Sequence, residues 1–139
     1  MKLLDVLFCD DIRVEMNNKV SLMGLYNDRI VFRSSEKTKL EWPIKMDLAM
    51  LVRLNISDNE KKPISFAFEC FSKNKSIVKI DGNTDISNFD GSVFCLILST
   101  KNIDLNPGDL GYSIKVRDEK TEYLSQTNKK AIQVLLQKT

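Results

Sequence analysis

The sequence predicts an all-β protein, built as a two-sheet antiparallel β-sandwich of about eight to ten strands. Three observations predict it: apolar residues recur mainly with period two, polar turns separate the apolar stretches, and no stretch carries a convincing helical pattern. A closed barrel is the alternative architecture. We expect one domain over residues 1–139, because a chain of this length has room for one core.

The first predicted elements form a hairpin. The segments Val6 to Glu15 and Val20 to Tyr26 flank a polar turn, Met16-Asn17-Asn18-Lys19. Asparagine tolerates the left-handed backbone that tight hairpin turns demand, so these residues favour a hairpin. A polar crossover, Arg33 to Glu41, then leads to the next strand through Trp42-Pro43.

The middle of the chain contains the strongest alternation. Apolar side chains take every second position from Leu48 to Ile56 and again from Ile64 to Cys70, which predicts two strands facing one core. The stretch Val93 to Leu98 is apolar at every position. Such a pattern is typical of a strand covered on both faces, and we expect it to be the most buried segment.

The end of the chain is open to two interpretations. Residues Tyr112 to Arg117 alternate as a strand, but Thr127 could instead cap a helix over 127–138. We favour a strand there, because Lys129 and Lys130 would lie at the positive end of that helix dipole. Alternating apolar residues support the strand: Ile132, Val134 and Leu136.

Charge and composition limit the partners. The 21 basic and 19 acidic residues are interleaved and leave a net charge of +2, so no nucleic acid or membrane partner is implied. No apolar run approaches the ~20 residues of a spanning helix, and Asp5 interrupts the only stretch that resembles an export signal. Three sparse cysteines fit a reducing compartment: Cys9, Cys70 and Cys95. We therefore expect a cytoplasmic protein, for which a homo-oligomer is possible.

Catalytic and cofactor motifs are missing. The chain contains no histidine, which excludes Ser-His-Asp and Cys-His arrangements and every histidine-bearing metal site. It has no C-x-x-C pair, no P-loop and no G-x-G-x-x-G. These absences predict a protein that is not an enzyme and that needs no cofactor.

A calcium site is the exception that the sequence leaves open. The loop from 81 to 90 carries Asp81, Asn83 and Asp85 at the spacing of the first three ligands of an EF-hand, and Asp90 follows. Ile86 stands where that motif needs glycine, so a plain loop whose side chains bond their own backbone is the favoured interpretation. Sandwich domains of the C2 type nevertheless bind calcium through such loops, and this remains the alternative.

The adjacent carboxylates Asp10 and Asp11 need a partner. Asp10 lies on the alternating face that also carries Phe8, where an unpaired charge is costly. We expect a structural pair between an aspartate and an arginine rather than a catalytic dyad, because neighbours on a strand point to opposite faces. The candidate arginines are Arg13, Arg29 and Arg53.

Two resemblances add to these expectations. The run Leu105 to Ile114, with Pro107-Gly108 and Tyr112, resembles the corner of immunoglobulin-like sandwiches, which implies that the Tyr112 hydroxyl bonds to nearby backbone. The opening hairpin, Phe8 to Arg13 followed by Lys19 to Tyr26, looks like that of a family of uncharacterised bacterial β-rich proteins. These resemblances imply an immunoglobulin-like or C2-like sandwich and no assigned activity.

Taken together, the residues favour a bacterial, non-enzymatic module that binds a protein partner. A sheet face, a sheet edge or the loops between strands would hold that partner, with Tyr26, Arg29 and Trp42 as candidate binding residues. A sandwich that binds calcium or a small ligand at the loop from 81 to 90 is the alternative.

Overall fold

The computed structural model describes residues 1–138, which form nine strands and two short 3₁₀ turns. The described part of the chain contains no α-helix, as the sequence predicts. The strands are β1 Lys2–Val14, β2 Val20–Tyr26, β3 Arg29–Ser34, β4 Ile44–Asn55, β5 Pro63–Ser72, β6 Lys75–Asp85, β7 Val93–Leu105, β8 Gly108–Arg117 and β9 Glu122–Lys138. The 3₁₀ turns are Met16–Asn18 and Asp58–Glu60.

The strands build two sheets packed face to face, which confirms the all-β sandwich. One sheet has four strands in the order β2-β1-β4-β7, and the other has five in the order β3-β9-β8-β5-β6. Two separate sheets with open edges replace the closed barrel that the sequence left as an alternative. Side chains from both inner faces form the core, among them Phe8, Met50, Phe68 and Ile114.

One strand pair departs from the antiparallel expectation. β3 runs parallel to β9, from Arg29 opposite Gln133 to Ser34 opposite Lys138. Only Asn27 and Asp28 separate β2 from β3, although the two strands belong to different sheets. The chain therefore crosses the sandwich at this point, and the backbone N–H of Gln133 donates to the carbonyl of Asp28 at 2.9 Å to hold the crossing.

Residues 127–138 form a strand, as predicted. They belong to β9, where Ile132 and Val134 are buried and face the core. The opening hairpin is confirmed as well, and its turn contains Asn17 and Asn18 at φ values of 63° and 59°. Asparagine is enriched in this left-handed region because its short polar side chain can bond locally.

The prediction that Val93 to Leu98 is the most buried segment is wrong. These residues lie in β7, which is an edge strand, and Val93 and Ile97 are 41% and 37% exposed. The most buried run is in β4, where five consecutive residues from Leu48 to Val52 are no more than 3% exposed. A run that is apolar at every position does not distinguish a central strand from an edge strand with one uncovered apolar face.

The Pro-Gly segment does form a corner between the sheets. β7 ends at Leu105, β8 begins at Gly108, and Gly108 has a φ of 108° that favours glycine. The N–H of Asn106 donates to the Oγ of buried Ser72 at 3.1 Å, which ties the corner to the end of β5.

Tyr112 lies further along β8 than a tyrosine corner requires. Its ring stacks on Phe68 at 6.1 Å between ring centroids, with an interplanar angle of 12°. Burial raises the pKa of Tyr112, and a hydrogen bond with Asn128, its cross-strand neighbour on β9, opposes that rise. The predicted bond from the Tyr112 hydroxyl to nearby backbone stays a prediction.

Candidate functional site

Asp10 is held by a tyrosine and accommodated by a glycine. The hydroxyl of Tyr26 donates to Oδ1 of Asp10 across the first hairpin. Gly24 lies beside this carboxylate with a φ of 68°, and a Cβ added to it would come 2.1 Å from Oδ2 of Asp10. Burial raises the pKa of Tyr26, and the bond to Asp10 adds to the rise. The partner of Asp10 is therefore a tyrosine on the other strand of the hairpin rather than an arginine.

The three candidate arginines pair with other carboxylates. Arg53 makes a two-pronged contact with Asp5, at 2.8 Å from Nε to Oδ1 and 2.5 Å from Nη2 to Oδ2. The remaining two contacts are long and lie on exposed side chains, Arg13 with Asp11 at 3.9 Å and Arg29 with Asp28 at 3.8 Å. Asp11 thus lies 3.9 Å from the arginine Arg13 on the exposed surface, whereas Asp10 pairs with none of the three candidate arginines.

Three of the four predicted calcium ligands lie on a strand, and only the last one lies in a loop. Asp81, Asn83 and Asp85 belong to β6, and only Asp90 lies in the connection to β7. Oδ1 of Asp85 accepts hydrogen bonds from the N–H and the hydroxyl of Ser87, the former at 3.0 Å. These bonds lower the pKa of Asp85. Within residues 1–138, no three carboxylate or thiol side chains group closely enough to hold a metal ion.

The candidate partner-binding residues are each engaged with a different neighbour. Tyr26 bonds to Asp10, and Arg29 begins β3. Trp42 is half-buried and packs edge-on against Phe32, with ring centroids 6.0 Å apart and planes at 82°. The structure therefore does not join Tyr26 and Trp42 into one aromatic surface.

The outer face of the four-stranded sheet carries a band of apolar side chains. The cross-strand register places Leu7 beside Leu51 and Leu51 beside Ile97, and the next row joins Leu25 through Cys9 to Ala49. No other strand or helix of residues 1–138 forms a layer over this face. Leu25 is 47% exposed and Ile97 37%, so the band ends in solvent. We call these residues the apolar band.

Two thiols on this outer face, Cys9 in the apolar band and Cys95 beside it, stay uncharged at neutral pH. Burial raises the pKa of Cys9, and nearby Asp10 adds to that rise. Burial also raises the pKa of Cys95, the outward-facing β7 residue opposite Arg53, although the guanidinium opposes it. Neither thiol has the lowered pKa that marks a reactive cysteine.

The edge strand β7 contributes Ile97 to this band and differs from the other three sheet edges. Residues 93–100 contain no charged side chain, no proline and no glycine. By contrast, β2 is short and contains Gly24 at a positive φ, while β3 presents Arg29 and Arg33, and β6 presents Lys79. Charged side chains, short length and irregular backbone are the devices that keep sheet edges from pairing, and β7 lacks them over these eight residues.

A polar groove occupies the outer face of the five-stranded sheet. Its floor consists of the small side chains Ser65 and Ala67 of β5, and the cavity above them has a volume of about 540 Å³. Longer side chains form the walls, Asp81 and Asn83 on β6 and Lys115 and Arg117 on β8. Two smaller hollows continue it along β5, toward Glu69 and toward Pro63.

Comparisons of the chain with protein families and with curated proteins found no match. The resemblance to a family of uncharacterised bacterial proteins therefore stays a prediction. The fold and the two outer faces define a β-sandwich with one apolar, open-edged sheet and one polar, grooved sheet. Among residues 1–138, there is no helix of the length and apolarity needed to cross a bilayer.

Proposed function

We propose that this chain is a non-enzymatic protein-binding module that accepts an extended segment of a partner protein as an additional strand on β7. The observation that carries the proposal is the uncharged edge of β7 over residues 93–100, with Val93 and Ile97 exposed beside the apolar band. A bacterial, cytoplasmic setting is part of the proposal, and the three free cysteines support the reducing compartment that a cytoplasmic setting implies.

The backbone of β7 offers the hydrogen bonds. β7 ends the order β2-β1-β4-β7, so its N–H and C=O groups on the side away from β4 have no strand partner within residues 1–138. Its register with β4 runs without interruption from Val93, opposite Asn55, to Thr100, opposite Leu48. A regular edge of eight residues is long enough to template a partner strand, because about half of its peptide groups point outward.

The side chains of the apolar band would supply the affinity. Hydrogen bonds between the backbones of β7 and a partner strand replace hydrogen bonds to water, so each contributes only about 0.5–1.5 kcal/mol net. Because every residue has these backbone groups, the bonds do not select the sequence of the partner. Covering Ile97 and Val93 on the outer face removes apolar surface from water, which contributes roughly 25 cal/mol per Å². A partner strand with apolar residues at alternate positions would fit this band.

A pair of matched lysine substitutions tests the proposal. Ile97→Lys places a charge on the β7 edge, whereas Val31→Lys places one on the β3 edge at a nearly equal exposure of 38%. Each chain is immobilised and exposed to a lysate of the source cells at physiological salt. We expect a specific protein to be retained by the native chain and by Val31→Lys, and to be lost with Ile97→Lys.

Hydrogen exchange then locates the contact. The partner identified in this way should slow amide exchange in residues 93–100 and leave β3 unchanged. Retention of the same protein by Ile97→Lys, or protection confined to another strand, would contradict the proposal. Sedimentation of the native chain tests for self-association. A dimer that dissociates in Ile97→Lys would assign the β7 edge to a second copy of this chain rather than to a different protein.

A further inference from the structure

The polar groove on the five-stranded sheet has walls of opposite charge. Lys115 and Arg117 stand on the β8 side, and Asp81 stands on the β6 side, with Ala67 between Asp81 and Lys115 in the strand register. None of these three charged side chains forms an ion pair within 4.0 Å in the part of the chain that the structure describes. Their charges are therefore available to a ligand.

We propose that this groove binds an extended peptide segment in which acidic and basic residues alternate. Lys115 and Arg117 are two residues apart on one strand, so they share a face and lie about 6.6–6.8 Å apart along it. An extended peptide has the same repeat along its own length. Acidic side chains at alternate peptide positions would thus meet Lys115 and Arg117 in register.

The wall formed by β6 would select a basic residue between the two acidic residues of the peptide. β6 and β8 both flank β5, which places them about 9.5 Å apart, or two strand spacings. Side chains on the two sides of one extended peptide can reach both walls across such a groove. A lysine between two glutamates would face Asp81, while the small floor residues Ser65 and Ala67 let the peptide backbone approach.

The shape of the groove favours a polymer over a compact ligand. The cavity of about 540 Å³ continues along β5 in hollows that reach Pro63 at one end and Glu69 at the other. Six residue steps of a strand span about 20 Å. Glu122 and Asp81 beside the cations disfavour a uniformly anionic polymer such as a nucleic acid, which repels carboxylates.

The test uses the full chain, labelled with ¹⁵N, and a capped peptide of sequence Gly-Glu-Lys-Glu-Lys-Glu-Gly at low salt. We expect saturable shifts of amide resonances in residues 65–67, 81–83 and 115–117. The double variant Lys115→Glu/Arg117→Glu should weaken this peptide at least tenfold and should prefer the peptide with glutamate and lysine exchanged. The matched control, Lys37→Glu/Lys39→Glu, changes the net charge equally in the polar crossover and should bind like the native chain.

Three results would overturn the proposal. They are equal weakening by the control variant, equal binding of a peptide in which every lysine is replaced by glutamate, and shifts that map outside the groove. A well-dispersed spectrum of each variant establishes that it is folded. Ile97→Lys lies on the other sheet and should leave peptide binding unchanged, so failure here and failure of the β7 proposal are separate results.

Discussion

Substituting Gly24 by alanine should break the contact between Asp10 and Tyr26. A Cβ at position 24 would lie 2.1 Å from Oδ2 and 2.7 Å from Cγ of Asp10, distances that no pair of unbonded atoms tolerates. The backbone at Gly24 cannot adjust freely, because it is paired with β1 on both sides, at Leu25 with Cys9 and at Met23 with Asp11. The carboxylate must therefore move, and it loses the Tyr26 hydroxyl when it does.

Two contributions set the size of the effect. An alanine at a φ of 68° costs about 1–2 kcal/mol relative to glycine. Loss of a hydrogen bond to a carboxylate adds about 1.5–3 kcal/mol when the bond is buried, and the lower end applies because Asp10 is exposed. We expect Gly24→Ala to lower the free energy of unfolding by roughly 2–4 kcal/mol.

A double-mutant cycle separates these contributions. In an Asp10→Ala background the carboxylate is absent and only the Cβ of residue 10 remains close, at 3.1 Å, so Gly24→Ala should cost mainly the backbone part, about 1–2 kcal/mol. The four proteins are unfolded in urea and followed by far-ultraviolet circular dichroism. A coupling of about 1–2 kcal/mol is expected. If the two substitutions prove additive within about 0.5 kcal/mol, Asp10 is not positioned by the space that Gly24 leaves, and the reasoning fails.

Three further predictions follow from the same structure. Because folding raises the pKa of Tyr26, the protonated hydroxyl stabilises the fold below the unfolded pKa of about 10, and this stabilisation is lost as the pH rises above it. In urea unfolding at increasing alkaline pH, the free energy of unfolding should therefore fall less steeply for Tyr26→Phe than for the native chain. The Tyr123 hydroxyl and two backbone N–H groups lower the pKa of Asp118 from 3.8 to about 2. The free energy of unfolding should therefore fall as the pH is lowered from 3.8 to about 2. Carbon-detected NMR should find a higher pKa for Asp118 in Tyr123→Phe. Leu98→Ala, in the core, should cost about 2–4 kcal/mol in thermal unfolding, against less than about 1 kcal/mol for the half-exposed neighbour Ile97→Ala.

The strands were predictable because alternation is a local signal. In β5 every buried residue from Ile64 to Ser72 has an even number, and in β8 the buried residues Ile114 and Val116 alternate with exposed Lys115 and Arg117, so the sequence alone identified both strands and their inward faces. The parallel pairing of β3 with β9 could not be predicted in this way, because side-chain alternation is the same for either direction of a neighbour. The direction follows from the two-residue crossing after β2, a tertiary feature.

The Asp10 contact left a signal that the sequence analysis missed. A hairpin centred on Asn17 pairs residues symmetrically about that position, as Phe8 opposite Tyr26 shows. The same symmetry sets Gly24 opposite Asp10. A carboxylate facing the one residue type without a side chain has room to lie across the partner strand, which makes an arginine partner unnecessary.

The open edge of β7 is the feature that the fold alone does not explain. An uncharged strand edge beside exposed apolar side chains invites aggregation, and a single lysine at position 97 would remove that hazard with little loss of core contacts, since Ile97 already meets solvent. The edge strands β3 and β6 of the other sheet carry such charged side chains, so this chain does protect edges against pairing elsewhere. This contrast between β7 and the other edges is the reason for proposing a partner strand there, and charged substitution at position 97 is the change that tests it.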